Sequence, residues 1–395
     1  MSVDWGNVQG QFLLPEGRIY LNSATFGAMP RPVLDALVHH IRDGESDPTR
    51  VAAWRGETPP IYEPQKRLAA YLGCNPEDMV FHYNITNALN QAFFSLPWKA
   101  GGEILASDHE YGSMLVIART AAERNGLTFR QFKLPPRPSC AEELRDCVMD
   151  SLSPATTGVL LSHICTGSGL LVPVEEVARE LSRRGIRFIV DGAHGPGRLP
   201  LRLGDTAIDV YGGNLHKWFM GPKGTAFLYV KRSVQYEMRP HIVGYGGSSM
   251  EASPRAKNRA LGTAHPFPYV FGFQGVRDSS PFLAISDVLD FRHSIGEEEV
   301  LKRINELTSY ARRRLIDDEG YEALSPAPHL HAGSFAFRMR ENPAGSERLS
   351  ETLFQRHGIT IGPTPPGQTE VRISPHIWNS EEQIERFVQA LRTRP

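Results

Sequence analysis

Three features of the 395-residue sequence carry chemistry. Asp191 closes the apolar run RFIVD and is followed by Gly192, Ala193 and His194. A carboxylate in that position demands a cation or a proton donor, because burying it alone is costly. Twenty-six residues later, Lys217 stands in Asn214-Leu215-His216-Lys217-Trp218, again directly after an apolar run. Desolvation beside aromatic neighbours lowers an ammonium pKa and prepares an amine for attack on an aldehyde, although a single lysine is usually just a surface residue. The third feature is Asn84-Ile85-Thr86-Asn87, placed where a strand ends and a helix opens. N–H groups at a helix N-terminus, with the Thr86 hydroxyl, form an anion site; the same residues are ordinary caps, and the two uses are compatible.

One ligand unites these features: a phosphate on the helix N-terminus, a pyridine nitrogen against the strand-end aspartate, and an aldehyde captured by the lysine. That ligand is pyridoxal 5′-phosphate, PLP.

The elements that must position these residues follow an alternating rhythm. From about residue 79, short apolar or β-branched runs at 79–83, 103–107, 127–132, 157–164, 187–191, 209–214 and 225–230 alternate with helix-period segments. Gly126 and Gly185 are placed to end two of those helices. The pattern predicts an α/β fold with a seven-stranded, mostly parallel sheet, whose ligands bind beyond the carboxyl ends of the strands. After about residue 280, two long helical stretches (281–293 and 297–318), a strand, a helix around 346–357, a second strand and a closing helix predict a smaller α+β domain. Segment 231–279 is rich in Gly, Ser and Pro and reads as loops. The expected division is 1–20 as an N-terminal segment associated with the small domain, 21–280 as the large PLP-binding domain, and 281–395 as the small C-terminal domain.

Composition narrows the partners. Lys plus Arg number 43 against 44 Asp plus Glu, a net charge of −1, which argues against a nucleic-acid binder or a polybasic membrane adsorber. No apolar run approaches the ~20 residues that cross a bilayer, and the first residues lack a signal peptide, so a cytoplasmic protein is expected. Cys74, Cys140, Cys147 and Cys165 have no metal-ligand spacing and should be reduced thiols; no metal is expected.

The stretches LNSATFGAMPRPV, NITNALN, SDHEYGSM, LLSHICTGSGLLVPVEE, VDGAHGPG, GNLHKW, GPKGTAFL, GFQGVRD and VRISPHIWNSEEQI run almost end to end. In them the chain resembles the class V aminotransferase group of fold-type I PLP enzymes, and most closely its isopenicillin N epimerase-like branch. The resemblance implies that Lys217 binds the cofactor aldehyde, that Asp191 keeps the pyridine nitrogen protonated, and that His194 lies near the phenolic oxygen or ring. It puts Tyr111 over the ring as a stacking aromatic. It assigns the phosphate to backbone and hydroxyl donors of Ile85 and Thr86, with His216 as a further donor, and places Asn214, Ser162 and His163 near the cofactor. Arg372 matches the clamp for a substrate α-carboxylate, and Asn22, Ser23, Thr25 and Gly27 match the segment that closes over the substrate. A homodimer with active sites at the subunit interface is also implied. Where the family commonly carries a threonine reaching the partner's phosphate, this chain has Val276, leaving the Val276 N–H or the Arg277 guanidinium to make a cross-subunit contact.

For the reaction, a persulfide-forming desulfurase is disfavoured because no cysteine follows Cys165. The resemblance extends to tailoring enzymes of sulfur-containing natural products, including lincosamide pathways. The expectation is therefore β-elimination or oxidative deamination of an S-substituted cysteine in antibiotic biosynthesis, with epimerase or aminotransferase as alternatives. The segment 241–269, with Tyr245, Arg255, Lys257, Arg259 and His265, suits either a bulky polar substrate or a solvated loop. A non-catalytic PLP-fold protein and a zinc hydrolase are more remote readings.

Overall fold

Seven apolar runs become the strands of one sheet in a computed structural model that describes residues 3–49, 60–244, 247–250, 266–272, 274–345 and 347–392. After the short β1 (Ile19–Tyr20), the sheet strands are β2 (Met79–His82), β3 (Glu103–Ser107), β4 (Thr128–Phe132), β5 (Thr156–Ser162), β6 (Arg187–Asp191), β7 (Val210–Asn214) and β8 (Ala226–Val230). Their spatial order is β2-β8-β7-β6-β5-β3-β4. β8 runs antiparallel to both neighbours, and the other pairs are parallel.

Side chains alternate between two cores, one on each face. Leu105, Val159, Leu161, Phe188 and Val190 enter one; Ile104, Ala106, Leu160 and Ile189 enter the other. Burial on both faces explains the near-continuous apolar runs, each large aliphatic residue contributing about 1.5–3 kcal/mol. The register sets Ser162 beside Asp191, and Asp191 beside Gly212, so the central strands end together.

A third core lies in the C-terminal part. β9 (Glu322–Ala323), β10 (Phe335–Arg338) and β12 (Glu370–Ile373) form an antiparallel sheet in the order β12-β10-β9. Helices Glu297–Arg312, Leu349–His357 and Glu381–Arg392 cover it. The start of the chain is shared between regions. β1 pairs with β11 (Ile359–Thr360) and Ile19 and Leu21 join the C-terminal core, whereas Val8 and Phe12 join a core of the large sheet.

Segment 231–279 differs from its reading as loops. Residues Phe267–Gly272 form a helix whose Phe267, Val270 and Phe271 are fully buried against β2, so its aromatic run is core. Tyr245, Arg255, Lys257, Arg259 and His265 lie outside the described residues. The stretch 281–293 is divided into Ser280–Leu283 and Ile285–Ile295, and 297–318 ends in a π-helical turn, Arg313–Asp318. Among the described residues, no helix is long and apolar enough to cross a membrane and no His/Cys/Asp/Glu cluster could hold a metal ion.

Candidate active site

Asp191 ends β6 almost completely buried. Its Oδ1 accepts the Ala193 N–H at 2.8 Å, and Oδ2 has no partner among the described residues. Burial raises its pKa, opposed by the Ala193 bond and by Lys217. The glycines that follow are explained by Tyr211 on β7. A Cβ on Gly192 would sit 2.0 Å from the Tyr211 ring, and one on Gly195 would sit 2.0 Å from its hydroxyl. Tyr211 in turn lies 3.1 Å from His163 Nδ1. Burial holds His163 neutral, with a pKa pushed down to about 4, so this predicted site residue is committed to the packing behind Asp191.

Lys217 lies on the turn after β7. Its Nζ is 3.3 Å from His194 Nε2. Burial pushes its pKa down to about 8; Asp191 opposes that shift and Arg372 adds to it. A fraction of the amine is therefore neutral near physiological pH, the condition for nucleophilic or basic chemistry. The Trp218 indole N–H donates to His194 Nδ1 at 3.0 Å, which assigns the proton of the neutral imidazole to Nε2. That Nε2–H faces Thr166 Oγ1 at 3.1 Å and the Lys217 amine, and burial keeps His194 neutral by lowering its pKa well below the usual value.

The turn itself is clamped by residues the sequence reading missed. The Trp218 carbonyl accepts from Arg292 Nη1 at 3.1 Å and His376 Nε2 at 3.0 Å. Arg292 also reaches the Gly197 carbonyl at 3.3 Å and pairs with both oxygens of Glu297 at 2.8 and 2.6 Å. On the other side Gly27 N–H donates to the His216 carbonyl at 2.7 Å; a Cβ on Gly27 would lie 2.0 Å from the Lys217 carbonyl. Only glycine permits this approach of the N-terminal segment.

Helix Ile85–Ser95 points its N-terminus toward the same region, and here one expectation changes. The Ile85 N–H donates to Asn214 Oδ1 at 2.9 Å, and the Asn87 N–H to Asn84 Oδ1 at 2.9 Å. Asn214 thus ties the end of β7 to the helix, and Ile85 has no free donor for a phosphate. The Thr86 N–H and hydroxyl remain without a partner among the described residues. His216 also differs from its implied role. Its Nδ1 lies 3.1 Å from the Thr225 carbonyl and burial pushes its pKa down to about 4, so the neutral ring presents Nε2 as an acceptor.

Arg372 on β12 is preorganised by its own neighbours. Its Nη1 donates to the Thr166 carbonyl at 3.1 Å and its Nη2 to Thr25 Oγ1 at 2.8 Å, while Thr25 donates to Asn22 Oδ1 at 2.8 Å. Ser23 Oγ donates to the Ser374 carbonyl at 2.7 Å. Tyr111 is half exposed and near enough to act electrostatically on the guanidinium. Ser162 faces inward, donating to Glu110 Oε2 at 2.6 Å. Val276 is 91% exposed, whereas Arg277 folds back to the Phe81 carbonyl at 3.2 Å with its guanidinium 4.5 Å from the Phe282 ring centre. The Arg277 Nη1 is left without a partner among the described residues.

This donor set fits PLP. A buried carboxylate with an open oxygen, a depressed lysine amine and an unpaired first-turn N–H beside a hydroxyl match the ring nitrogen, aldehyde and phosphate respectively. The fold and the site therefore describe a fold-type I PLP enzyme. The aminotransferase class-V family model matches residues 19–387. The chain is 32% identical to isopenicillin N epimerase of Amycolatopsis lactamdurans, over 99% of each chain, and 33% identical to that of Streptomyces clavuligerus, over 98% of each. Among solved structures, a C-DES mutant with glycine covalently linked to the PLP cofactor superposes with a TM-score of 0.82 at 23% identity, covering 97% of this chain and 98% of the other. The chain belongs to the class V aminotransferase family of PLP-dependent enzymes.

Proposed function

We propose that the chain binds an amino-acid-derived substrate through its α-carboxylate on Arg372 and moves the Cα proton with Lys217. The observation that carries this reading is the shared environment of the two groups: Arg372 is close enough to help depress the Lys217 pKa. When bound, PLP supplies an electron sink that acidifies the Cα–H bond. Asp191 would hold the ring nitrogen in its protonated form, His194 would present its Nε2–H toward the cofactor, and Thr86 would hold the phosphate. Tyr111 would cover the ring. In a homodimer the Val276 N–H or the Arg277 guanidinium would make the cross-subunit contact, and the protein is read as cytoplasmic.

The preferred substrate is an S-substituted cysteine of natural-product biosynthesis, such as a lincosamide pathway supplies, cleaved by β-elimination with release of the thiol, or deaminated oxidatively with dioxygen as the two-electron acceptor, reduced to hydrogen peroxide. Elimination needs one base at Cα, and Lys217 is that base; burial lowers the pKa values of His194 and His216 and leaves both weak proton acceptors. A second reading is amino-acid epimerisation, favoured by the full-length similarity to isopenicillin N epimerases. Epimerisation needs a proton donor on the opposite face, a task that falls to Tyr111. Incubating the holoenzyme and its Tyr111→Phe variant with S-conjugated cysteine, while following pyruvate, ammonia, thiol, carbon dioxide and peroxide, separates the two. Product release that survives in the variant supports the first reading. Solvent exchange and inversion at Cα without fragmentation, lost in Tyr111→Phe, supports the second.

A further inference from the structure

Behind Asp191 lies a second buried carboxyl that the chemistry above leaves unused. Glu110 is 8% exposed, on the turn that follows β3. Ser107 Oγ donates to its Oε1 at 2.5 Å and Ser162 Oγ to its Oε2 at 2.6 Å. Ser162 is the register partner of Asp191 on the neighbouring strand, so the two carboxyl groups are separated by one strand end. Each acts on other groups in the cluster: both raise the pKa of the buried Cys165 thiol, and Asp191 raises that of Glu110.

We propose that Glu110 is a positioning residue for the cofactor, its carboxylate adding a second negative charge behind Asp191 and strengthening the hold of Asp191 on a protonated ring nitrogen. The proposal rests on the reading that Asp191 pairs with that nitrogen. A cation placed before two carboxylates is bound more tightly than one placed before a single carboxylate, and weak screening in the interior preserves the difference. Two serine hydroxyls aimed at the same carboxyl favour its charged form against the cost of burial.

The neighbouring groups leave this charge free to vary near neutral pH. Burial pushes the Glu110 pKa up to about 7, the serine bonds oppose it, and Asp191 adds to it. Facing it from β5 and the loop beyond are His163, held neutral, and Cys165, held as the thiol. Tyr211 on β7 stays protonated, its pKa raised by burial and Asp191. Lys217 stands across Asp191, with His194 neutral beside it. As pH rises through about 7, Glu110 loses its proton and the field at Asp191 becomes more negative.

The test titrates apoprotein with PLP from pH 6 to 8 and reads affinity from quenching of tryptophan fluorescence and from the visible absorbance of bound cofactor. It compares wild type with Glu110→Gln, Ser162→Ala and Asp191→Asn. The ratio of wild-type to Glu110→Gln affinity is expected to rise from near one at pH 6 to about ten at pH 8, equivalent to one pKa unit. Ser162→Ala should keep the inflection but move it upward, because a bond favouring the charged carboxyl is lost; this variant carries the test if Glu110→Gln does not fold. A constant affinity ratio, or an unmoved inflection in Ser162→Ala, would overturn the proposal. If Asp191→Asn binds PLP with the wild-type affinity and profile, the pairing of Asp191 with the ring fails instead. A profile that flattens in Asp191→Asn but persists unchanged in Glu110→Gln refutes only the role of Glu110.

Discussion

Replacing Arg292 by methionine should loosen the catalytic lysine turn from a distance. The guanidinium is 1% exposed and donates to Glu297 twice, to the Trp218 carbonyl and to the Gly197 carbonyl. Breaking a fully buried ion pair by removing one member costs about 3–5 kcal/mol, but the Glu297 side chain is 35% exposed, so water screens the carboxylate left behind and lowers that cost. Glu297 retains the Tyr71 hydroxyl at 2.7 Å, and the Trp218 carbonyl retains His376 at 3.0 Å, so only the Gly197 carbonyl loses this donor without an observed substitute. The expected loss is about 2 kcal/mol. With an unfolding entropy of about 0.8 kcal/mol/K for a chain of this length, that corresponds to a melting shift of about 2.5 °C.

Differential scanning calorimetry of the apoprotein measures this shift, and the double variant Arg292→Met/Glu297→Gln tests its origin. Removing the stranded carboxylate should recover about half of the loss, because the unpaired charge and the lost carbonyl bonds share the cost. The single variant should also bind PLP more weakly, since the residue after Lys217 is the one released. A single variant that melts within 1 °C of wild type would refute the clamp. So would a double variant no more stable than the single one.

The charges around Lys217 predict opposite changes in the pH–rate profile. Arg372 lowers the Lys217 pKa and Asp191 raises it, so the acidic limb of kcat, which follows formation of the neutral amine, should move up in Arg372→Ala and down in Asp191→Asn. Stopped-time assays across pH 6–10 check both; shifts in the same direction contradict this electrostatic account. Arg372→Ala should also raise KM for substrates with a free α-carboxylate by about a hundredfold, the value of a lost charge-assisted pair, and spare substrates that lack the group. Thr86→Val removes a hydroxyl while keeping the side-chain shape, and should weaken PLP binding by about tenfold in equilibrium dialysis. Unchanged binding would place the phosphate elsewhere.

The strand-end chemistry was legible in the sequence because it is local. RFIVD and VYGGN are runs that end on a polar residue, Asp191 and Asn214, and the parallel sheet brings those ends together. The antiparallel direction of β8 was not legible, since strand direction leaves no mark on an alternating run. Nor was the helix Phe267–Gly272, whose flanking Gly, Ser and Pro obscured a short aromatic face that the fold buries. The missed site residues act through long connections. Arg292 meets the Trp218 carbonyl across 74 residues, and His376 meets it across 158. No periodicity reports such a bond. Glu110 offered a faint signal, an acidic residue beside Tyr111 in a stretch already singled out, but its burial appeared only when Ser107 and Ser162 converged on it.

The central claim is that Lys217 carries the cofactor. Borohydride reduction of the PLP-loaded protein, followed by proteolysis and peptide mass mapping, tests it directly. The account predicts a phosphopyridoxyl group on the peptide containing Lys217, its disappearance in Lys217→Ala, and loss of the visible cofactor band in that variant. Labelling of Lys223 or another lysine in the wild-type protein, with Lys217 unmodified, would contradict it.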